Sequence, residues 1–144
     1  RRIIMKKFVK IFALALVAVM LLATLASCAP ASDADKAVEA LKAEGYTALR
    51  DNNVIPAAFK LAGYSLDVVV TGTKTIKDKD GKKTVESVTI FYFANKEDAE
   101  KAFDKVKDKE KDSKEDSEES NWVSATKSGK MVYFGTKQAI KDAR

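Results

Sequence analysis

The stretch VTIFYFANKEDAEKAF, Val88 to Phe103, changes its hydrophobic period halfway along. Up to Phe93 it has the two-residue period of a strand: Val88, Ile90 and Tyr92 fall on one face, Phe91 and Phe93 on the other. A strand apolar on both faces belongs in the middle of a sheet, covered by helix on at least one side. From Asn95, whose side chain suits a helix cap, Ala99, Ala102, Phe103 and Val106 recur at the i, i+3, i+4, i+7 spacing of an amphipathic helix. Phe103 is the large residue of that stripe. If it is buried against the sheet, Phe103→Ala should cost ~3 to 5 kcal/mol.

Upstream, Tyr64 to Ile76 alternates, with Tyr64, Leu66, Val68 and Val70 apolar and Ser65, Asp67, Thr71, Thr73 and Thr75 polar. This reads as a strand with one buried face. Asp80-Gly81 is a two-residue hairpin signal, and Thr84 to Ala94 returns as the partner strand. Before it, Ser32 or Asp33 can cap a helix to Glu44, with Asp35 placed as in a capping box. Ala34, Ala37, Val38 and Leu41 form its apolar face and Gly45 ends it. Tyr46 to Arg50 reads as a short strand, and Pro56 to Ala62 as a short helix started by proline and stopped by Gly63.

Downstream, Lys107 to Asn121 contains no apolar residue and reads as a solvated helical extension or a loop. Trp122 to Thr126 and Met131 to Gly135 form a second hairpin around Ser128-Gly129, with a final helix from Thr136. Two helix-then-hairpin units, Ser32 to Ala94 and Asn95 to Phe134, suggest a repeat. Hairpins of sequential strands predict an α+β two-layer sandwich: a mostly antiparallel sheet of about five strands with the helices packed on one face. Residues 32–144 form this single domain, with the charged segment at 107–121.

The N-terminal region has a different composition. From Met5, the expected natural start, MKKFVK is a basic n-region, IFALALVAVMLL an apolar h-region and ATLASC a small-residue cleavage region, the order of a signal peptide over residues 1–27. Leu25-Ala26-Ser27-Cys28 resembles the lipobox of bacterial lipoproteins. By that resemblance the Cys28 thiol takes a diacylglycerol, and a signal peptidase that recognises Leu25, Ala26 and Ser27 cuts before Cys28. Ala29 to Ala31 would then form a very short tether. Two acyl chains suffice for stable anchoring, since each buried methylene contributes ~0.8 kcal/mol. The expected location is the cell membrane, lipid-anchored and facing the extracytoplasmic side. The passages VTIFYFANKEDAEKAF and MVYFGTKQAIKDA (Met131 to Ala143) are similar to small uncharacterised lipoproteins of Gram-positive anaerobes, which implies a similar address and fold and transfers no functional residue beyond Cys28.

Composition narrows the chemistry. Five of the 26 basic residues precede Cys28 and none of the 21 acidic ones does, so the net +5 belongs to the export signal and the remainder is balanced. A balanced domain lacks the basic footprint that supplies nucleic-acid affinity, and no nucleic-acid partner is expected. With no histidine and one cysteine, Ser/His/Asp triads, Cys/His pairs and zinc sites of His and Cys are excluded. No metal, cofactor or catalytic residue is predicted, and the chain is not read as an enzyme. Asp78-Lys-Asp80-Gly81 fails as a calcium loop, because counting from Gly81 puts Ile76 first and Ser87 twelfth, where acidic ligands are required. The aromatics Phe91, Tyr92, Phe93, Trp122, Tyr133 and Phe134 either fill a core or line a binding face; exposure of Tyr92, Trp122 or Tyr133 would favour binding. The expected function is a binding or interaction module at the cell envelope, joined to membrane lipid through Cys28 and contacting an envelope protein or small ligand. The alternative is a structural or accessory subunit of an envelope complex.

Overall fold

A computed structural model describes residues 29–112 and 122–144. The signal and lipobox residues through Cys28, and the part of the charged segment from 113 to 121, lie outside the described residues. The element order is α1 (Ala34–Ala43), β1 (Thr47–Asp51), α2 (Val54–Leu61), β2 (Leu66–Lys77), β3 (Lys83–Phe93), α3 (Lys96–Asp112), β4 (Trp122–Ser128), β5 (Met131–Thr136) and α4 (Lys137–Asp142). The strands form one open α+β sheet in the order β1-β2-β3-β5-β4, with every neighbouring pair antiparallel and β3 at the centre.

The helices divide between both faces of this sheet, which corrects the expectation that they share one. On one face α1 and α4 bring Ala37, Leu41, Ala139 and Ile140 against Val68, Val70, Val88, Ile90, Tyr92 and Tyr133. On the other, α2 and α3 bring Phe59, Ala99 and Ala102 against Leu66, Val69, Phe91, Phe93 and Val132. The physical reason is in β3 itself: a strand with large apolar side chains on both faces leaves one of them wet unless helices lie on each side. The suggested repeat also fails. A two-fold relating the antiparallel hairpins would run normal to the sheet and leave both leading helices on one face, whereas α1 and α3 lie on opposite faces.

The even-position pattern of β2 is broken by a bulge. Leu66 pairs with Phe93 but Val68 pairs with Tyr92, so Asp67 is the extra residue and the strand changes parity there. Tyr64 and Leu66 therefore join Val69 on the α2/α3 face, and Val68 and Val70 point the other way. The first hairpin is longer than a two-residue turn. The Asp78 N–H donates to the Lys82 carbonyl at 2.9 Å, leaving Lys79, Asp80 and Gly81 as a three-residue loop with Gly81 at φ +80°. The Asp78 carboxylate accepts from the Asp80 and Lys82 N–H groups, so it closes the turn.

The caps explain the helix starts. Asp33, not Ser32, caps α1, accepting from Asp35 N–H at 2.8 Å and Lys36 N–H at 3.3 Å, and Asp35 instead pairs with Arg50. Helix α2 begins before Pro56, because the Asp51 carboxylate accepts from the N–H groups of Asn53, Val54 and Ile55. Those bonds hold the Asp51 carboxyl below the usual carboxylate range. Helix α3 is capped by Asn95, whose Oδ1 accepts from Asp98 N–H at 2.8 Å, and extends to Asp112.

Candidate functional site

Strand parity divides the six aromatics between two faces, and burial divides them further. Tyr92 and Tyr133 lie buried in the α1/α4 core, and Phe93 is buried in the other. Phe91, Phe134 and Trp122 remain on the α2/α3 face, half-buried for the two phenylalanines and 40% exposed for Trp122. With Phe59 of α2 they form a ladder across the sheet. The ring centroids are 5.6 Å apart for Phe59–Phe91, 6.1 Å for Phe91–Phe134 and 6.2 Å for Phe134–Trp122, all tilted. These spacings lie within the range of favourable aromatic pairs.

Helices α2 and α3 cover only part of this face. Beneath them lie Leu66, Val69, Phe93, Ala125 and Val132, and a crevice of about 40 Å³ among Phe59, Phe91 and Val106 is too small for an organic ligand. Beyond the helices the register lays out a second row straight across four strands: Leu49, Thr71, Thr89 and Phe134. A further row holds Thr47, Thr73 and Ser87, with Trp122 opposite Thr136 at the far edge. Leu49 is 64% exposed, and Val85, on the same face of β3, 59%. Exposed apolar ends and a half-buried hydroxyl centre thus make a patch bordered by the ladder.

The sequence drew attention to Phe91, Phe134 and Trp122, and the fold brings these three together. It separates them from Tyr92 and Tyr133. Phe59, Leu49 and Thr89 were missed; the alternating Thr71, Thr73 and Thr75 were the available sign that β2 carries a hydroxyl row. Leu25, Ala26, Ser27 and Cys28 lie outside the described residues.

The segment just after Cys28 is built into the domain. Ala29 and Ala31 pack on the α1/α4 core and Pro30 is buried. The Ala31 N–H donates to the Ala143 carbonyl at 2.9 Å, and the Tyr92 hydroxyl donates to the Ala31 carbonyl at 2.8 Å. Burial first, and then the field of Asp33, holds the Tyr92 phenol protonated well above its ordinary range. Tyr46 is raised in the same way by burial and by its 2.9 Å hydrogen bond to Asp142.

Among the described residues no three His, Cys, Asp or Glu side chains are grouped to hold a metal ion, and no helix is long and apolar enough to cross a membrane. Comparison with known proteins finds no family whose model matches the chain, no curated protein similar to it and no solved structure that matches it.

Proposed function

We propose that this chain is a lipid-anchored, extracytoplasmic binding module whose open sheet face contacts another protein of the cell envelope. The observation that carries the binding role is the uncovered row Leu49–Thr71–Thr89–Phe134 with the exposed Trp122 beside it. Apolar side chains left in water at the rim of an aromatic ladder give a partner area to bury, and the threonine hydroxyls give it hydrogen bonds to complete. The anchor is supported by the order of basic, apolar and small-residue regions ending in Leu25-Ala26-Ser27-Cys28.

Site-specific photo-crosslinking in the native host tests the contact. A photoreactive residue at Leu49 or Val85 should capture a discrete envelope protein, and one at Glu39 on the outer side of α1 should not. Equal, diffuse capture from all three positions would remove the assignment of this face. A partner that also co-purifies stoichiometrically from detergent extracts would favour a permanent subunit over a transient binder. Metabolic labelling with a fatty-acid analogue tests the anchor. Label should enter the wild-type chain and be lost in Cys28→Ala, which should remain uncleaved. Equal labelling of the two would sink the lipid assignment.

A further inference from the structure

A second concavity lies on the opposite face of the sheet, between α4 and the strands β4 and β5, with a volume of about 380 Å³. Its floor is apolar, made by Val123, Tyr133 and Ile140, and its rim carries Lys137, Lys141 and Arg144. No acidic residue lines it. The acid that α4 does carry, Asp142, is turned away, accepting from Tyr46 and Gln138. Among the described residues none of the three cations forms an ion pair. Three positive charges around an apolar floor are complementary to an anion with an apolar body, and the volume is at the lower end of the ~300 to 1,000 Å³ of small-molecule sites. Arginine and lysine are the side chains that hold phosphate.

The position of the cavity indicates where such an anion comes from. Arg144 follows Ala143, whose carbonyl accepts from the Ala31 N–H, so the rim adjoins the point where the chain arrives from residue 28. Three residues span at most ~10 Å when extended. We infer that this cavity binds the phosphate head of an anionic membrane lipid, with Lys137, Lys141 and Arg144 around the phosphate and Ile140 and Val123 against the glycerol and first methylenes. The choice of lipid as the source rests on the anchoring proposed above; the preference for an amphipathic anion rests on the cavity alone.

The test is calorimetric titration of the full chain in a neutral maltoside detergent with dihexanoylphosphatidylglycerol, dihexanoylphosphatidylcholine and inorganic phosphate. Saturable binding is expected for the phosphatidylglycerol, weakened at least about tenfold in the double variant K141Q/R144Q, whose replaced side chains at Lys141 and Arg144 are exposed and outside the core. Phosphatidylcholine should bind at least about tenfold more weakly, since its choline cation meets the same rim. If inorganic phosphate binds as tightly as phosphatidylglycerol, the site takes a soluble anion and the lipid source is overturned. Absence of saturable binding, or binding unchanged in the double variant, overturns the site altogether. Repeating the titration on Cys28→Ser separates the two readings: affinity retained there supports the cavity even if the labelling experiment removes the anchor.

Discussion

The Asp98 carboxylate, in the first turn of α3, accepts from both the backbone N–H and the hydroxyl of Ser65, at 2.8 and 2.7 Å. Asp98 is buried, and these two bonds join the start of α3 to the segment entering β2, just before the bulge. They hold its carboxyl below the ordinary aspartate range, the Ser65 side-chain bond contributing most. A group lowered on folding adds stability that is complete above its unfolded value, about 3.9, and is lost as the pH falls through the lower folded value. Wild type should therefore lose urea midpoint below about pH 4. Asp98→Asn should start lower at pH 7 and show a flatter acid limb. Parallel acid limbs would mean that the Ser65 bonds contribute nothing.

Tyr46 and Tyr92, two of the three buried phenols among the described residues, bear on the alkaline limit. Tyr46 and Tyr92 are raised on folding, chiefly by burial, so their contribution is complete below the unfolded tyrosine value of about 10 and is lost as the pH rises beyond it. The double variant Y46F/Y92F should keep its own neutral-pH urea midpoint further into alkali than wild type does. At neutral pH it should be the less stable of the two, by roughly 1 kcal/mol for each lost hydrogen bond. An unchanged alkaline limb would show that other groups govern it.

Helix α3 docks through its small residues. Ala99 is fully buried and Ala102 nearly so, while Phe103 lies half-buried at the margin with Lys107 and Lys127 ammonium groups 5.3 and 5.4 Å from its ring centroid. The sequence-based cost for Phe103→Ala is accordingly too high, and about 1 to 2 kcal/mol is expected for a partly exposed ring. Ala99→Leu should cost more, about 3 kcal/mol, because the helix has to move off the sheet. Urea denaturation ranks the two, and the reverse order would mean that the ring rather than the alanines seats the helix.

Gly135 is required by its neighbour strand. At φ +151° its backbone lies where side chains are rarely found, and a Cβ built there would sit 2.2 Å from the Ser87 carbonyl oxygen. Gly135→Ala should therefore destabilise by more than about 2 kcal/mol, since the close approach is backbone to backbone and no rotamer relieves it. A midpoint within error of wild type would show that β3 and β5 can separate at low cost.

The elements were legible where one period ran long enough to identify them. Asn95 followed by the Ala99–Val106 stripe gave α3, and the two apolar faces of Val88 to Phe93 gave the central strand. The division of helices between faces was implied by that same double-faced strand, but the short helices α2 and α4 carry too few residues to show which way they point. Phe59 was invisible for this reason. The bulge at Asp67 left one mark in the alternation, the apolar Val69 at an odd position between Val68 and Val70, but with Leu66 and Val68 both apolar the place where the parity changes could not be read. The open patch follows from cross-strand register, which places Leu49 beside Thr71 and Thr89 beside Phe134, and register is a property of pairs of strands rather than of any one of them. The cationic cavity combines β4 with the last helix and has no local signature.

Ala31 is held at both its N–H and its carbonyl, by Ala143 and by Tyr92, and Pro30 beside it is buried. The chain therefore enters the domain as a rigid mount rather than as a leash. On the anchoring proposed above, only the bonds ahead of Ala31 separate residue 28 from a fixed point of the domain, so the reach of the open patch would be set chiefly by the dimensions of the sheet. Flexible residues inserted between residue 28 and Ala31 would lie outside these bonds and turn the mount into a leash, whereas slack introduced after Ala31 would have to come from unpacking the core.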